Sequence, residues 1–172
     1  AALPLIMLAL LPGFAVGQAQ AAIAAPKAAA ARDGKTPPPG RDCSLPASLP
    51  ALIALPKATV FAPFEIGPAL LVHTPHSVIA TGHHRASAAM RDVIDAYMAD
   101  PAKAEAIVRA HGAGYVVACG DTVEARNYRA FAPKGLMAGL MAGQAPGWLE
   151  PVTLPAEAGE LKVWKVRPGT SQ

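Results

Sequence analysis

The stretch "DPAKAEAIVRAHGAGYVVAC", from Asp100 to Cys119, joins a helix signal to a strand signal. Asp100 is a typical N-cap, Pro101 suits the first helical position, and Gly112 suits the residue just past a helix end. The run that begins at Gly114 is apolar and rich in valine, which is typical of a buried strand. The stretch therefore predicts a helix that leads directly into a strand.

The residues before this stretch alternate in the same way. Strands are predicted at "KATVFAP" (57–63) and "HSVIAT" (76–81), and a short helix is predicted at "FEIGPALLVHT" (64–74), where Pro68 is tolerated in the first turn. In "SAAMRDVIDAYMAD" (87–100), apolar residues recur at i, i+3, i+4, i+7 and i+8, which predicts an amphipathic helix with Ser87 as its cap. Strands separated by helices predict parallel pairing through right-handed crossovers.

The C-terminal part predicts a different arrangement. "KGLMAGLMAGQ" (134–144) has the apolar spacing of a short helix. "WLEPVTL" (148–154) and "ELKVWKVR" (160–167) predict an antiparallel hairpin at the sheet edge, since a proline and lysines suit an edge strand. The expected fold class is α/β, a small three-layer domain with a mainly parallel sheet and a C-terminal antiparallel hairpin.

The beginning of the chain predicts a membrane or export segment. Residues 1–26 carry no charged side chain, and about 20 apolar residues cross a bilayer as a helix. Residues 1–25 are therefore interpreted as the end of a transmembrane helix or as a signal peptide cleaved near Ala21. Residues 26–56 are rich in proline and predict a tether, with no helix between Pro26 and Pro50. Residues 57–167 form the predicted extracytoplasmic domain.

Composition argues against one class of partner. The chain has 15 basic and 12 acidic residues, and its aromatic content is only 5%. The basic residues are scattered, whereas nucleic-acid binding favours a clustered basic face with stacking aromatics. We expect no nucleic acid as a partner.

Neither a metal site nor a complete catalytic site is predicted. His73, His76, His83 and His84 are four of the five histidines, but they lack the third ligand at a defined position that zinc sites use. The sequence has no Gly-x-Ser-x-Gly elbow and no phosphate-binding loop before a helix. We expect no metal, no cofactor and no catalytic residue in this chain.

The two cysteines allow two interpretations. Cys43 and Cys119 are the only cysteines. They form a disulfide in an oxidising compartment, or they are two unrelated buried thiols.

Polar residues at the predicted strand ends are the best candidates for ligand binding. Ligands of open α/β sheets bind beyond the carboxyl ends of the strands. The residues expected on that rim are Glu65, His83, His84, Arg85 and Asp121. Arg85 suits an anionic or sugar-phosphate group; the alternative is a salt-bridged loop cluster, such as Glu65 with Arg85.

The order of these elements resembles the extracytoplasmic C-terminal domain of bacterial membrane glycosyltransferases of the GT-C type, and distantly that of the oligosaccharyltransferase catalytic subunit. Phe64-Glu65-Ile66-Gly67 occupies the place of a Trp-Asp-Tyr-Gly motif, with Glu for Asp and Ile for Tyr. Tyr115-Val116 occupies the start of a later Tyr-Val strand, and His84-Arg85 matches part of a Tyr-His-Arg-Asn pattern. The resemblance covers roughly residues 59–166.

The resemblance implies a function. Its members transfer a sugar from a polyprenyl-phosphate donor outside the cytoplasm, with catalytic carboxylates in loops between earlier membrane helices that this chain lacks. We therefore expect an accessory domain, not catalytic alone, at the periplasmic face of a bacterial inner membrane, with a lipid-linked sugar or acceptor as partner. The alternative is a secreted periplasmic binding module released by signal-peptide cleavage.

Overall fold

The structure, a computed structural model, describes residue 43 and residues 45–169. The helices in this described part are α1 (Leu45–Ala54), α2 (Gly67–His73), α3 (Ser87–Met98), α4 (Pro101–Ala110), α5 (Val123–Phe131) and α6 (Leu136–Met141). The strands are β1 (Thr59–Phe61), β2 (Ser77–Val78), β3 (Ala113–Cys119), β4 (Leu149–Val152) and β5 (Leu161–Val166). Short 3-10 turns lie at His84–Ala86 and Ala156–Ala158.

The five strands form one mixed sheet in the order β2-β1-β3-β5-β4. β1 pairs parallel with β2 and with β3, and β3 pairs antiparallel with β5, which pairs antiparallel with β4. The predicted fold class is therefore confirmed: a parallel core extended by a C-terminal antiparallel hairpin, with β4 at the edge.

Helices cover both faces of the sheet. Alternate residues of the central strand β3 point to opposite faces, and because they are apolar on both, each face needs a covering layer. Val116 and Ala118 belong to the core beneath α3–α6, whereas Val117 and Cys119 belong to the core beneath α1 and α2. All four are completely buried. Burying a valine side chain contributes about 1.5–3 kcal/mol, so Val116 and Val117 both stabilise the sheet.

The helix-to-strand stretch that begins at Asp100 folds as predicted. The Asp100 carboxylate accepts hydrogen bonds from the backbone N–H groups of Ala102 and Lys103, both at 3.1 Å. Gly112 has a φ of 61°, in the left-handed region that glycine adopts without steric conflict. These local signals leave only residues 111 and 112 between the end of α4 and the start of β3.

The prediction that no helix forms between Pro26 and Pro50 is wrong from Leu45 onward. Pro46 lies in the first turn of α1, where a backbone donor has no partner in any case. Pro50 lies inside the helix, but Leu52 is only 2% exposed in the core beneath α1 and α2. Packing on the sheet therefore outweighs the lost hydrogen bond.

Three smaller differences concern other elements. The predicted strand 76–81 is reduced to Ser77–Val78, which pairs only with β1 among the described strands. Ser87 is the first residue of the helix and not its N-cap, which is Ala86; the helix follows directly on the 3-10 turn, where Nδ1 of His83 accepts from the N–H of Arg85. Helix α5 was not predicted at all, although it contributes most to the site described below.

No helix among the described residues has both the length and the apolar composition needed to span a bilayer. The predicted membrane or signal segment, residues 1–25, lies outside the described residues. So does the predicted tether up to residue 42.

Candidate functional site

The structure forms a crevice between the carboxyl ends of β1 and β3. From β1 the chain turns through Phe64 and Glu65 into α2 and pairs next as β2, on one side of β1. β3 pairs on the other side of β1 and leads into α5. The chain therefore departs in opposite directions from these two strands, which defines a topological switch point, the usual ligand crevice of open α/β sheets.

A buried carboxylate, Glu124, joins the two sides of this crevice. It is 5% exposed and accepts hydrogen bonds from the N–H groups of Phe64 at 3.2 Å and Glu65 at 3.0 Å, and from the Tyr128 hydroxyl. In return, the Glu65 carboxylate accepts from the N–H of Glu124 at 3.3 Å. We call this set of contacts the Glu124 clamp; it ties the loop after β1 to the first turn of α5.

Burial in the Glu124 clamp favours the neutral forms of Glu124 and Tyr128. Burial raises the pKa of Glu124, and the charge of Glu65 adds to this, while the hydrogen bonds from Tyr128 and the two backbone N–H groups oppose it. Burial and the neighbouring Glu124 raise the pKa of Tyr128. Tyr128 is therefore a constant hydrogen-bond donor at neutral pH.

An aromatic stack between α3 and α5 lies next to the Glu124 clamp. The rings of Tyr97 and Tyr128 stack with centroids 5.7 Å apart and an interplanar angle of 16°. The Tyr97 hydroxyl is directed at the carbonyl oxygens of Phe61, at 3.0 Å, and Val117, at 2.5 Å. This hydroxyl ties α3 to both strands, β1 and β3, below the crevice.

A groove of about 350 Å³ extends from the Glu124 clamp between α3 and α5. Its apolar walls are formed by Phe64, Ile94, Met98, Val123, Tyr128 and Phe131. Glu65 and Glu124 supply its carboxylates, and no lysine, arginine or histidine of the described chain lines it. Phe131 is 77% exposed and Val123 is 54% exposed, unusually open positions for such side chains.

The structure brings only some of the predicted rim residues into this crevice. Glu65 lines it, whereas Asp121 lies just outside, where its carboxylate pairs with Arg126 at 3.4 Å. His83 and Arg85 are exposed in the turn before α3, and the backbone of His84 lies in the same turn. No ion pair between Glu65 and Arg85 forms in the described part of the chain.

The paired histidines at 73 and 76 have different environments. His76 is buried, its Nε2 is 2.8 Å from the carbonyl oxygen of Leu52, and its Nδ1 accepts from the N–H of Ala58 at 3.3 Å. His73 is exposed at the end of α2. Both nitrogens of His76 are thus occupied by the backbone, and no group of three metal-ligating side chains converges anywhere in the described residues.

Cys43 and Cys119 meet at the carboxyl end of β3. Their Cα atoms are 5.9 Å apart, a separation typical of disulfides. Cys43 also forms an isolated antiparallel bridge with Gly159. The chain therefore enters the folded domain at the same sheet edge as the crevice.

Glu124 and Tyr128 are the site residues that the sequence analysis missed. A signal for them exists: the Thr122 hydroxyl caps α5 by accepting from the N–H of Ala125 at 3.0 Å, and threonine before a polar-apolar run marks a helix start. Glu124 and Tyr128 are four residues apart and so share one face of that helix. Their burial has no such local signal.

Comparison with known proteins identifies a similar fold. The C-terminal globular domain of an oligosaccharyltransferase from Archaeoglobus fulgidus matches with a TM-score of 0.53 and 15% sequence identity, over 70% of this chain and 92% of that domain. The two folds are similar. No protein-family model matches the chain, and no curated protein matches it in sequence.

Proposed function

We propose that this chain is the extracytoplasmic accessory domain of a bacterial membrane glycosyltransferase that uses a polyprenyl-phosphate sugar donor, and that it is not catalytic alone. The observation that carries this proposal is the similarity of its fold to an oligosaccharyltransferase globular domain, across nearly all of that domain. The order of strand, Phe64-Glu65-Ile66-Gly67 and a later Tyr-Val strand supports the same assignment.

Within that function, we assign the crevice to the acceptor. The donor carries phosphate, and a phosphate beside an ionised carboxylate is repelled by about 4 kcal/mol at 4 Å in a surface environment. The groove presents Glu65 and Glu124 and no cation of the described chain. A neutral or cationic acceptor is compatible with this lining, whereas the anionic donor is not.

Arg85 remains the candidate for contact with the donor phosphate. It is exposed and takes part in no ion pair of the described residues. A guanidinium group binds phosphate oxygens in a bidentate manner, which suits it to this role. His83 and His84 lie in the same turn and are further candidates for this contact.

The proposed compartment is the periplasm, with the domain attached to the inner membrane through residues 1–25. The proximity of Cys43 and Cys119 supports this, since disulfides persist in oxidising compartments and are rare in the cytosol. Residues 1–26 carry no charge, which favours insertion into a membrane.

The test uses the product of the complete reading frame, expressed in bacterial membranes, with transfer of a labelled sugar from a polyprenyl-phosphate donor as the readout. We expect transfer, and we expect Arg85→Ala to reduce it at unchanged protein level. The matched control is Arg91→Ala, another exposed arginine, on α3. Equal transfer by wild type and Arg85→Ala would refute the proposed contact between Arg85 and the donor phosphate.

A second measurement separates the two proposed classes of protein. Mass spectrometry of the mature N-terminus is expected to show an unprocessed chain in the membrane fraction. A chain cleaved near Ala21 and found in the soluble periplasm would refute the membrane assignment and identify a secreted binding module.

A further inference from the structure

We infer that the groove between α3 and α5 binds a lysine or arginine side chain of a partner polypeptide, with the cationic head at Glu65 and the aliphatic stem along Phe131. The inference names one cationic class of ligand for the crevice that is assigned above to the acceptor, but its argument does not rest on the proposed glycosyltransferase function. It rests on the charge of the groove, its aromatic walls and its size.

The charge of the groove is uncompensated. In the described part of the chain, neither Glu65 nor Glu124 takes part in an ion pair. The two arginines of α5 are engaged elsewhere: Arg126 contacts Asp121, and Arg129 donates to the carbonyl oxygen of Gly120 at 3.0 Å. A ligand that brings its own positive charge is therefore favoured at this position.

The two carboxylates contribute differently. Glu124 already accepts hydrogen bonds from three donors of its own chain. Glu65 is exposed and accepts one hydrogen bond, from the N–H of Glu124 at 3.3 Å. A carboxylate accepts about four hydrogen bonds, so Glu65 keeps free acceptor capacity for a cationic donor.

The walls favour a cation that carries an apolar stem. Phe131 and Val123 on α5 are exposed, and Ile94 and Met98 on α3 are half-buried on the opposite wall. Ammonium and guanidinium groups bind the faces of aromatic rings such as Phe64 and Phe131. A lysine or arginine side chain matches both requirements, because it combines a charged head with a methylene stem.

The size of the groove favours a single side chain over a large molecule. Its volume of about 350 Å³ is at the lower end of the range for ligand sites. Val123 and Phe131 are eight residues apart on α5, which corresponds to a groove about 12 Å long.

The experiment titrates the 172-residue chain with Nα-acetyl-lysine N-methylamide and with its norleucine analogue, which lacks the ammonium group. Binding is followed through the backbone amide NMR signals of Phe64, Val123 and Asn127. We expect saturable shifts with the lysine compound, and affinity at least about fivefold lower for the norleucine compound, the factor expected for one partly exposed charge pair near an aromatic ring. The arginine analogue is expected to behave like the lysine compound.

Two variants test the residues individually. Glu65→Gln retains an acceptor for the N–H of Glu124 and is expected to lower the affinity for the lysine compound about fivefold, to that of the norleucine compound. Phe131→Ala removes an exposed ring at little risk to folding and is expected to weaken both compounds. The matched control is Glu157→Gln, at an exposed carboxylate in the 3-10 turn 156–158, which is expected to change nothing.

The inference would be overturned by equal binding of the lysine and norleucine compounds, by unchanged affinity in Glu65→Gln, or by the absence of a saturable shift with either cationic compound. Ethanolamine, which has an ammonium group without the long stem, is expected to bind more weakly than the lysine compound. Equal binding of ethanolamine would show that the apolar walls play no part, and would also overturn the inference.

Discussion

Replacing Tyr128 by phenylalanine tests the Glu124 clamp most directly. The substitution removes one hydroxyl and leaves the ring that stacks on Tyr97. Glu124 is 5% exposed, and the lost hydrogen bond goes to its carboxyl group, which carries a charge above its folded-state pKa. Hydrogen bonds to charged groups contribute about 1.5–3 kcal/mol, so Tyr128→Phe is expected to lower the free energy of unfolding by that amount above that pKa.

The expected loss depends on pH in a defined direction. The folded-state pKa of Glu124 is raised above its usual value of 4.5, so the folded state holds its proton to a higher pH than the unfolded chain does. Stability therefore falls as pH rises from 4.5 through the folded-state pKa. Because the Tyr128 hydroxyl lowers the pKa of Glu124, the variant has a still higher pKa and a wider window of falling stability.

At acid pH, where Glu124 is protonated in both proteins, the difference between them is expected to shrink to the value of a neutral hydrogen bond, about 0.5–1.5 kcal/mol. Urea unfolding at about pH 4 and about pH 7.5 measures both values. Tyr97→Phe is the matched control in the same stack: its hydroxyl is directed at two carbonyl oxygens, so its loss of about 1 kcal/mol is expected to be the same at both pH values. A pH-independent loss in Tyr128→Phe would refute the reasoning.

Three further predictions concern the stability of the domain. Gly67→Ala is expected to lower the free energy of unfolding by about 2 kcal/mol or more through overpacking, because the new Cβ would lie 2.5 Å from the carbonyl oxygen of Ala80. The control is Gly82→Ala, which has open space around it and is expected to be near neutral in the same urea assay. A disulfide between Cys43 and Cys119 predicts that Cys43→Ser lowers the free energy of unfolding by up to about 4.5 kcal/mol, the loop-closure value for a sequence separation of 76. Equal stability of the wild type with and without dithiothreitol would contradict this disulfide. Asp100→Ala should cost about 1 kcal/mol through loss of the α4 cap, measured by thermal unfolding, with Asp100→Asn close to wild type.

Part of the candidate site could be predicted because position in an α/β fold follows from the order of elements. The apolar runs at 57–63 and 114–119 predicted two strands, and Glu65 and Asp121 follow their ends. Glu65 does line the crevice. Asp121 lies beside it because Arg126, five residues later, holds its carboxylate, a contact that depends on the unpredicted helix α5.

The sequence by itself determined the elements whose signals lie within a few residues of one another: the cap at Asp100, the left-handed turn at Gly112, and the α/β alternation that produces a parallel core. Caps, turns and periodicity act over one or two helical turns, so they can be identified without knowledge of the fold.

Only the tertiary structure decided the Glu124 clamp and the helical state of residues 45–54. Glu124 meets the N–H groups of Phe64 and Glu65 across 60 and 59 residues, and this contact exists only because β3 pairs beside β1. α1 keeps Pro50 within a helix because burial of Leu52 against the sheet outweighs the local preference of proline. In both cases the free energy that decides the structure comes from surfaces that are distant in sequence.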